Sequence, residues 1–222
     1  MIDRFRNRVE AGRYLARKLR AYAKRNDVVV LALPRGGVPV GYEISTALGA
    51  PLDVFLVRKL GVPGHEEFAM GAIASGGVRF LNNEVVQNLG ISKSEIEKVT
   101  EHEEEELHRR EEAYGKYIAH FANRIIILVD DGLATGATMR AAIMAIREQE
   151  PARVVVAVPV GASSTCKELN QLADEVVCAM EPEPFFAVGQ WYENFSQTTD
   201  EEVSDLLERA RDQVVAVGKE SV

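Results

Sequence analysis

The chain has 222 residues, of which 46% are hydrophobic and 27% charged, and its formal net charge is −8; these values fit one globular α/β domain and disfavour nucleic acid as a partner. No apolar run reaches the roughly 20 residues of a membrane helix, and the charged N-terminus lacks the apolar segment of a signal peptide. Two cysteines are too few for a disulfide framework or a four-cysteine zinc site, so we expect a cytoplasmic protein that does not enter a membrane.

Helical and strand patterns alternate along most of the chain. Residues 6–25 carry apolar side chains at helical spacing, and the apolar run at 28–33 is typical of a buried strand. Further helices are predicted at 38–48, 92–120, 139–149, 164–172 and 200–217, and further strands at 52–57, 125–129, 153–158 and 175–178. This alternation favours an α/β fold with a parallel sheet covered by helices on both faces.

Two stretches depart from this alternation. Residues 58–83 are rich in glycine and are predicted to form an irregular, flexible loop with short strands around 72–74 and 78–81. Residues 181–197 are rich in proline and aromatic side chains. Since no repeat or low-complexity linker divides the sequence, we predict a single domain over 1–222 with its core at about 28–178.

The most informative motif is the sequence IIILVDDGLATGAT at residues 125–138. An apolar strand leads into Asp130 and Asp131, then into a loop of glycine and threonine, and then into a helix. The N-terminus of a helix binds anions because its free N–H groups and its dipole point outward. Two carboxylates beside such a site would repel a phosphate unless the ligand also carries sugar hydroxyls or a metal ion. The motif therefore predicts a site for a ribose 5-phosphate.

Two more familiar glycine motifs and an ordinary turn fit this segment less well. A P-loop has a lysine where this chain has Ala137, and the glycine spacing of a dinucleotide fingerprint is not present. An ordinary capped turn between a strand and a helix needs only one acidic or hydroxyl residue.

A second glycine-containing turn follows the strand at 28–33. Because parallel strands end at the same edge of a sheet, this turn is expected beside the first motif. Gly36 and Gly37 free the backbone to approach an anion, and Arg35 can chelate phosphate oxygens with its planar fork. Arg58 and Lys59 are predicted to close the second strand at that edge, where they would neutralise a diphosphate.

The motif at 125–138 closely resembles the phosphoribosyl-diphosphate (PRPP) binding motif of type I phosphoribosyltransferases. The resemblance covers about residues 28–178 and implies that a nitrogenous acceptor displaces pyrophosphate from carbon 1 of PRPP, through an oxocarbenium-like transition state and with Mg²⁺ as cofactor. In this family the turn that binds diphosphate commonly contains a non-proline cis peptide. The implied roles are catalysis by Asp130, Asp131 and Arg35; indirect Mg²⁺ binding by the two aspartates through ribose hydroxyls or water; and PRPP binding by Gly36, Gly37, Lys59, Ala134, Thr135, Gly136, Ala137 and Thr138.

The acceptor is less well defined. Type I enzymes build a hood over the sheet edge, and residues 181–197 are the candidate, with Phe186 and Trp191 able to stack on a planar base. A packed C-terminal subdomain is the alternative. In purine-salvage members the residue before Thr-Gly is an aspartate near the purine, whereas this chain has Ala134. A simple hypoxanthine–guanine specificity is therefore not supported.

The sequence thus predicts a phosphoribosyltransferase that binds PRPP and a nitrogenous acceptor, with residues 58–83 as the loop that closes over the site. Two alternatives stay open: a regulatory protein that senses PRPP and binds nucleic acid, and an enzyme of PRPP synthesis or related diphosphoryl transfer. The amphipathic first helix and the long charged helix are compatible with a homodimer.

Overall fold

The computed structural model describes residues 3–114 and 121–219. Its strands are β1 (Val28–Ala32), β2 (Leu52–Val54), β3 (Val57–Val62), β4 (His65–Ala74), β5 (Val78–Leu81), β6 (Ile125–Val129), β7 (Arg153–Val160) and β8 (Glu175–Met180). Its α-helices are α1 (Arg8–Lys18), α2 (Gly37–Leu48), α3 (Asn83–Asn88), α4 (Lys93–Tyr114), α5 (Ala137–Arg147), α6 (Ser163–Leu169) and α7 (Asp200–Lys219). Short 3₁₀ helices occur at Arg20–Tyr22 and Val188–Trp191.

A parallel sheet with the strand order β2-β1-β6-β7-β8 forms the centre of the fold. The neighbouring strands β1 and β6 pair from Val28 with Ile125 to Ala32 with Val129, and every residue of both strands is buried. Complete burial is expected where helices cover both faces of a sheet, and it explains why these strands are uninterrupted apolar runs. The predicted α/β class with a parallel sheet is confirmed.

Alternate residues of β6 pack into two different cores. Ile125, Ile127 and Val129 belong to the core that includes residues of α1, α2, α4 and α7. Ile126 and Leu128 face the other side of the sheet, where α5 and α6 supply the facing apolar side chains. This division follows from the period of two in a strand and explains how one short segment anchors both layers.

Residues 58–83 are more regular than the predicted loop, and the short strands predicted around 72–74 and 78–81 are confirmed as parts of β4 and β5. Strands β3, β4 and β5 form a separate antiparallel sheet, and α3 begins directly afterwards. Two of the glycines that suggested a loop lie inside strands: a Cβ on Gly61 would lie 2.7 Å from Glu66 O, and one on Gly71 would overlap Phe80 O. Glycine permits this close strand approach and the irregular pairing around Gly61. Whether the segment closes over a ligand stays a prediction.

The long charged helix is confirmed from Lys93 to Tyr114, while residues 115–120 of the prediction lie outside the described residues. Its N-terminus is a capping box, because Ser92 Oγ accepts the N–H of Glu95 and the Glu95 carboxylate accepts the N–H of Ser92 at 2.9 Å. Across the described residues, no helix combines the length and apolar character needed to cross a membrane.

Candidate active site

Asp130 and Asp131 follow β6 at the carboxyl edge of the parallel sheet, and both are half-buried. The N–H of Asp131 donates to Oδ1 of Asp130 at 2.8 Å. The next apolar residue, Leu133, donates its N–H to Val160 O at the end of β7, at 2.9 Å. The two carboxylates are therefore carried by a chain segment that is fastened to the sheet on both sides.

Residues 134–138, named here the phosphate loop, connect this acidic pair to α5. Gly136 is the N-cap of α5 with φ 69°, and a Cβ there would lie 2.5 Å from Cγ2 of Thr165, so both the backbone angle and the space require glycine. The Thr165 hydroxyl donates to Ala134 O at 2.7 Å and so connects the loop to α6. Ala134 and Thr135 are exposed, and Thr138 is also exposed. Since the first turn of a helix leaves N–H groups without intrahelical partners, the loop has the form of an anion site.

Residues 34–37, named here the diphosphate loop, lie against the acidic pair. The peptide bond between Pro34 and Arg35 is cis, as the family resemblance implies. A Cβ on Gly36 would overlap Oδ2 of Asp131, and one on Gly37 would lie 2.7 Å from Val129 O. The two motifs singled out in the sequence are therefore in contact, and glycine is what allows that contact.

The Arg35 side chain extends towards the N-terminus of α7. Its Nη1 is 3.8 Å from Oδ2 of Asp200. A cavity of 330 Å³ opens beside it and is lined by Pro34, Arg35, Arg109, Arg110, Ala113, Tyr114 and Asp200. Burial, together with a hydrogen bond from the Tyr114 hydroxyl to Asp200, raises the pKa of Tyr114 to about 12. Three arginines thus surround one polar cavity beside the diphosphate loop.

Arg8, in the first turn of α1, binds Asp131 directly. Its Nε and Nη2 lie 2.8 and 2.7 Å from the same oxygen, Oδ2 of Asp131. Its Nη1 donates to Ser196 O at 2.7 Å, and its guanidinium lies 4.0 Å from the centre of the Phe195 ring. The Arg8 and Asp131 side chains are only 11% and 15% exposed. One side chain therefore joins the N-terminal helix, the acidic pair and the segment at 181–197.

Burial raises the pKa of both aspartates. For Asp130, burial is the larger cause and the negative charge of Asp131 adds to it, so the pKa lies well above its usual value. For Asp131, burial again dominates, although the neighbouring Arg8 guanidinium acts in the opposite direction on its pKa. Buried carboxylates with perturbed pKa values are characteristic of functional sites.

Lys59 lies within β3, whereas the sequence predicts that it and Arg58 end a parallel strand; that prediction is wrong. The pairing of β2 with β1 ends at Val54, and the chain then turns into the antiparallel sheet. Arg58 pairs with Glu103 of α4 at 2.6 Å. Lys59 is exposed and lines, together with Ala137, a cavity of 430 Å³ between the antiparallel sheet and α5. Its assignment to the diphosphate stays a prediction.

Residues 181–197 contact Asp131 and the glycine that follows it. The Tyr192 hydroxyl donates to Asp131 O at 2.6 Å, and a Cβ on Gly132 would overlap the Val188 side chain. Of the two predicted acceptor residues, Phe186 is 75% exposed, whereas Trp191 packs against a small core that includes Phe5 and Tyr192. Both assignments stay predictions.

Comparison with known proteins identifies the family. The phosphoribosyl transferase domain model matches residues 1–192. The chain belongs to the phosphoribosyl transferase domain family. Two Mycobacterium tuberculosis proteins, from strains CDC 1551 and H37Rv and each named "putative phosphoribosyl transferase", are 47% identical to it over 208 residues, which are 93% of this chain and 47% of theirs. The chain thus spans about half the length of these curated relatives.

Two solved structures share the fold of this chain. The crystal structure of TT1426 from Thermus thermophilus matches this phosphoribosyl transferase domain with a TM-score of 0.85 at 41% identity, over 93% of this chain and 98% of that chain. The AQ2163 protein from Aquifex aeolicus has a TM-score of 0.52 at 12% identity, over 90% of this chain and 84% of that chain, which is a likeness of fold alone.

Sequence reasoning missed several residues of this candidate site. Arg8 is one of three arginines in the segment RFRNR and lies 123 positions from Asp131, so no local pattern distinguishes it. Tyr192 lies next to Trp191, but aromatic residues there suggest ring stacking and not a hydroxyl that reaches a backbone carbonyl. Arg109 and Arg110 belong to a charged helix that has many similar residues. Only the folded structure shows that these four residues lie at the candidate site.

Proposed function

We propose that this domain transfers the 5-phosphoribosyl group of PRPP to a nitrogenous acceptor and releases pyrophosphate. The observation that carries the proposal is the contact between Gly36 and the carboxylate of Asp131. It brings a glycine-containing turn against the pair of carboxylates that precedes the phosphate loop. PRPP has the matching parts in the same order: a 5-phosphate, ribose hydroxyls and a diphosphate. Family membership supports the same reaction.

The carboxylates would bind the ribose and stabilise its positive charge. Asp130 and Asp131 would accept hydrogen bonds from the ribose hydroxyls, and their negative charge would favour the oxocarbenium-like ring as the diphosphate leaves. Arg8 is compatible with this role, because both of its bonds to Asp131 end on Oδ2 and do not use Oδ1.

The two loops would bind the phosphates. The phosphate loop would hold the 5-phosphate through backbone N–H groups of α5 and the hydroxyls of Thr135 and Thr138. The diphosphate loop would hold the leaving group through its backbone and Arg35. Arg109 and Arg110 line the cavity beside this loop and are additional candidates for neutralising pyrophosphate.

The residues present also fit the Mg²⁺ that the family implies. Carboxylate oxygens are the ligands that this hard cation prefers, and Asp130 and Asp131 would hold it indirectly, through ribose hydroxyls or water. When bound, Mg²⁺ would neutralise charge on the diphosphate and so improve the leaving group.

Ligand-induced thermal stabilisation tests the donor. PRPP with Mg²⁺ should raise the melting temperature of the native chain, because a ligand that binds only the folded state stabilises it. The isosteric variant Asp130→Asn plus Asp131→Asn should fold and lose most of this response. A native chain that shows no shift with PRPP, under conditions in which a known PRPP-binding protein responds, would contradict the proposal.

Pyrophosphate release tests the reaction. Release should be followed with PRPP and a panel of purines, pyrimidines, nicotinate and small amines as acceptors. We expect at least one nitrogenous acceptor to give release that depends on Asp130. PRPP binding without release for any acceptor would instead favour a sensor of PRPP.

A further inference from the structure

The only two cysteines of the chain converge on one point of the fold. Cys166 lies on α6 and Cys178 on β8, and Glu181 follows β8 directly. The sulfur atoms of the two cysteines and a carboxylate oxygen of Glu181 all lie within 4.8 Å of one another. Cys166 is buried, Cys178 is half-buried and Glu181 is exposed, so the group runs from the core to the surface.

The backbone leaves room for this group. A Cβ on Gly161 would lie 2.8 Å from the sulfur of Cys166 and 3.5 Å from that of Cys178. Glycine at 161 therefore provides the space that the Cys166 sulfur occupies, and the Cys178 sulfur lies at ordinary contact distance from the same point. The Cys178 thiol donates to Met180 O at 3.1 Å, which holds its side chain on the same side as Glu181.

We propose that Cys166, Cys178 and Glu181 form a binding site for a thiophilic divalent cation, with Zn²⁺ as the best fit. Two thiolates and one carboxylate are three of the ligands of a tetrahedral zinc site, and water would be the fourth. In such a site the ligand atoms lie about 3.5–3.8 Å apart, given Zn–S bonds of about 2.3 Å. Zinc binding would require the three ligand atoms to move slightly closer together. The exposed Glu181 side chain is free to make such a movement. Each thiol would release its proton as the metal binds.

This site is chemically distinct from the acidic pair. Mg²⁺ prefers oxygen ligands and would not select thiolates, whereas Zn²⁺ accepts sulfur and oxygen together. The proposed zinc site and the proposed use of Mg²⁺ with PRPP thus involve different residues and different ligand chemistry.

The position of the site gives it a structural role beneath the phosphate loop. Gly161 forms a bridge with Leu133, and Thr165, next to Cys166, donates to Ala134 O. A metal that fastens α6 to β8 would therefore support the base of the phosphate loop. We expect Zn²⁺ to raise the melting temperature of the chain in the absence of PRPP.

Cobalt substitution and zinc competition test the proposal with the reduced, metal-free, full chain. One equivalent of Co²⁺ should give the thiolate-to-cobalt charge-transfer absorption of a tetrahedral sulfur site, and Zn²⁺ should displace it. Cys178→Ser should weaken zinc binding by about 100-fold or more, since even indirect partners of metal ligands change affinity by about 10- to 100-fold. Glu181→Gln should weaken it less, by about tenfold.

Glu183→Gln is the matched control, because Glu183 is an exposed carboxylate two residues from Glu181 and should leave binding unchanged. Glu181→Gln alters an exposed side chain and keeps the test valid if a cysteine variant fails to fold. Absence of the charge-transfer band, or zinc binding that is equal in the native chain, Cys178→Ser and Glu181→Gln, would overturn the proposal. A reduced chain that binds no zinc, but loses both free thiols on mild peroxide treatment, would also overturn the proposal. The two cysteines would then be a redox pair. The proposed function is tested separately by PRPP, because none of the three metal ligands belongs to the acidic pair, the phosphate loop or the diphosphate loop.

Discussion

The diphosphate loop and the hood segment at 181–197 meet the same acidic pair in different ways. The diphosphate loop approaches through its backbone, and a single added Cβ at Gly36 would overlap Asp131. The hood reaches Asp131 through the Tyr192 hydroxyl and leaves Phe186 75% exposed. Backbone contact leaves few alternatives, whereas contacts made by side chains can be exchanged. If the proposed function holds, the diphosphate loop would therefore be the geometrically defined side of the site and the segment at 181–197 the adaptable one.

Gly36→Ala should give the largest effect. The added methyl group would displace the Asp131 carboxylate or the diphosphate loop, and misplacement by about 1 Å at a reacting site can cost about 100-fold in rate. We expect the thermal response to PRPP and the release of pyrophosphate to fall at least to that extent. Circular dichroism would verify that the variant is folded.

The hood offers a matched comparison in Gly189→Ala. A Cβ there would lie 2.9 Å from Cδ1 of Phe195, a ring atom that can move. This variant should retain most of its response to PRPP. Equal losses in the two variants would show that backbone contact does not distinguish the two sides of the cleft.

The limits of sequence reasoning follow the same division. The strand, the paired aspartates and the glycines of residues 125–138 are neighbours in the chain, so their chemistry is visible locally. Gly61 and Gly71 misled the prediction for 58–83, because glycine marks both loops and close strand approaches, and only the partner strand separates these cases. Arg8 meets Asp131 across 123 positions, a contact that depends on how α1 packs.

Arg8→Gln should give the next largest effect, because it removes the cation that pairs with Asp131. Hydrogen bonds between charged groups contribute about 1.5–3 kcal/mol, so PRPP binding should weaken by about ten- to a hundredfold. Arg8 also lowers the pKa of Asp131 against the effect of burial. Without Arg8 the carboxylate ionises at higher pH, and the acidic limit of PRPP binding should move upwards, as measured by titration calorimetry across pH.

Arg13→Gln is the control on the same helix. Arg13 pairs with Glu43 at 2.8 Å, but its side chain is 65% exposed. Exposed pairs contribute little, so neither PRPP binding nor its pH dependence should change. A shift of the acidic limit in both variants would assign the effect to net charge and not to the Arg8 contact.

Asp130→Asn should raise stability while it removes function. Burial raises the pKa of Asp130 above its ordinary value of 3.8, so the folded state binds this proton more tightly than the unfolded state does. The native chain therefore loses stability as pH rises from the ordinary pKa to the raised one, and the loss persists above it. The variant should melt a few degrees higher at neutral pH, and this difference should vanish at pH values below the ordinary pKa.

Asp27→Asn is the comparison of opposite sign, because a hydrogen bond from Arg25 lowers the pKa of the exposed Asp27 carboxyl. Its replacement should not raise the melting temperature at neutral pH. A stabilisation of equal size in both variants would indicate a general effect of the net charge of −8.

Phe186→Ala should have the smallest effect on PRPP binding. It therefore distinguishes most clearly between binding of PRPP and binding of the acceptor. Because Phe186 is 75% exposed, its truncation should change stability by no more than about 0.5 kcal/mol and leave the response to PRPP intact. If Phe186 stacks on the acceptor, the KM for that acceptor should rise several-fold at unchanged PRPP affinity. Trp191→Ala should instead lower the melting temperature, since Trp191 packs against the small core that includes Phe5 and Tyr192. An unchanged acceptor KM in Phe186→Ala would leave the hood as a packed support for Asp131 and would move the search for the acceptor to the 430 Å³ cavity beside Lys59 and Ala137.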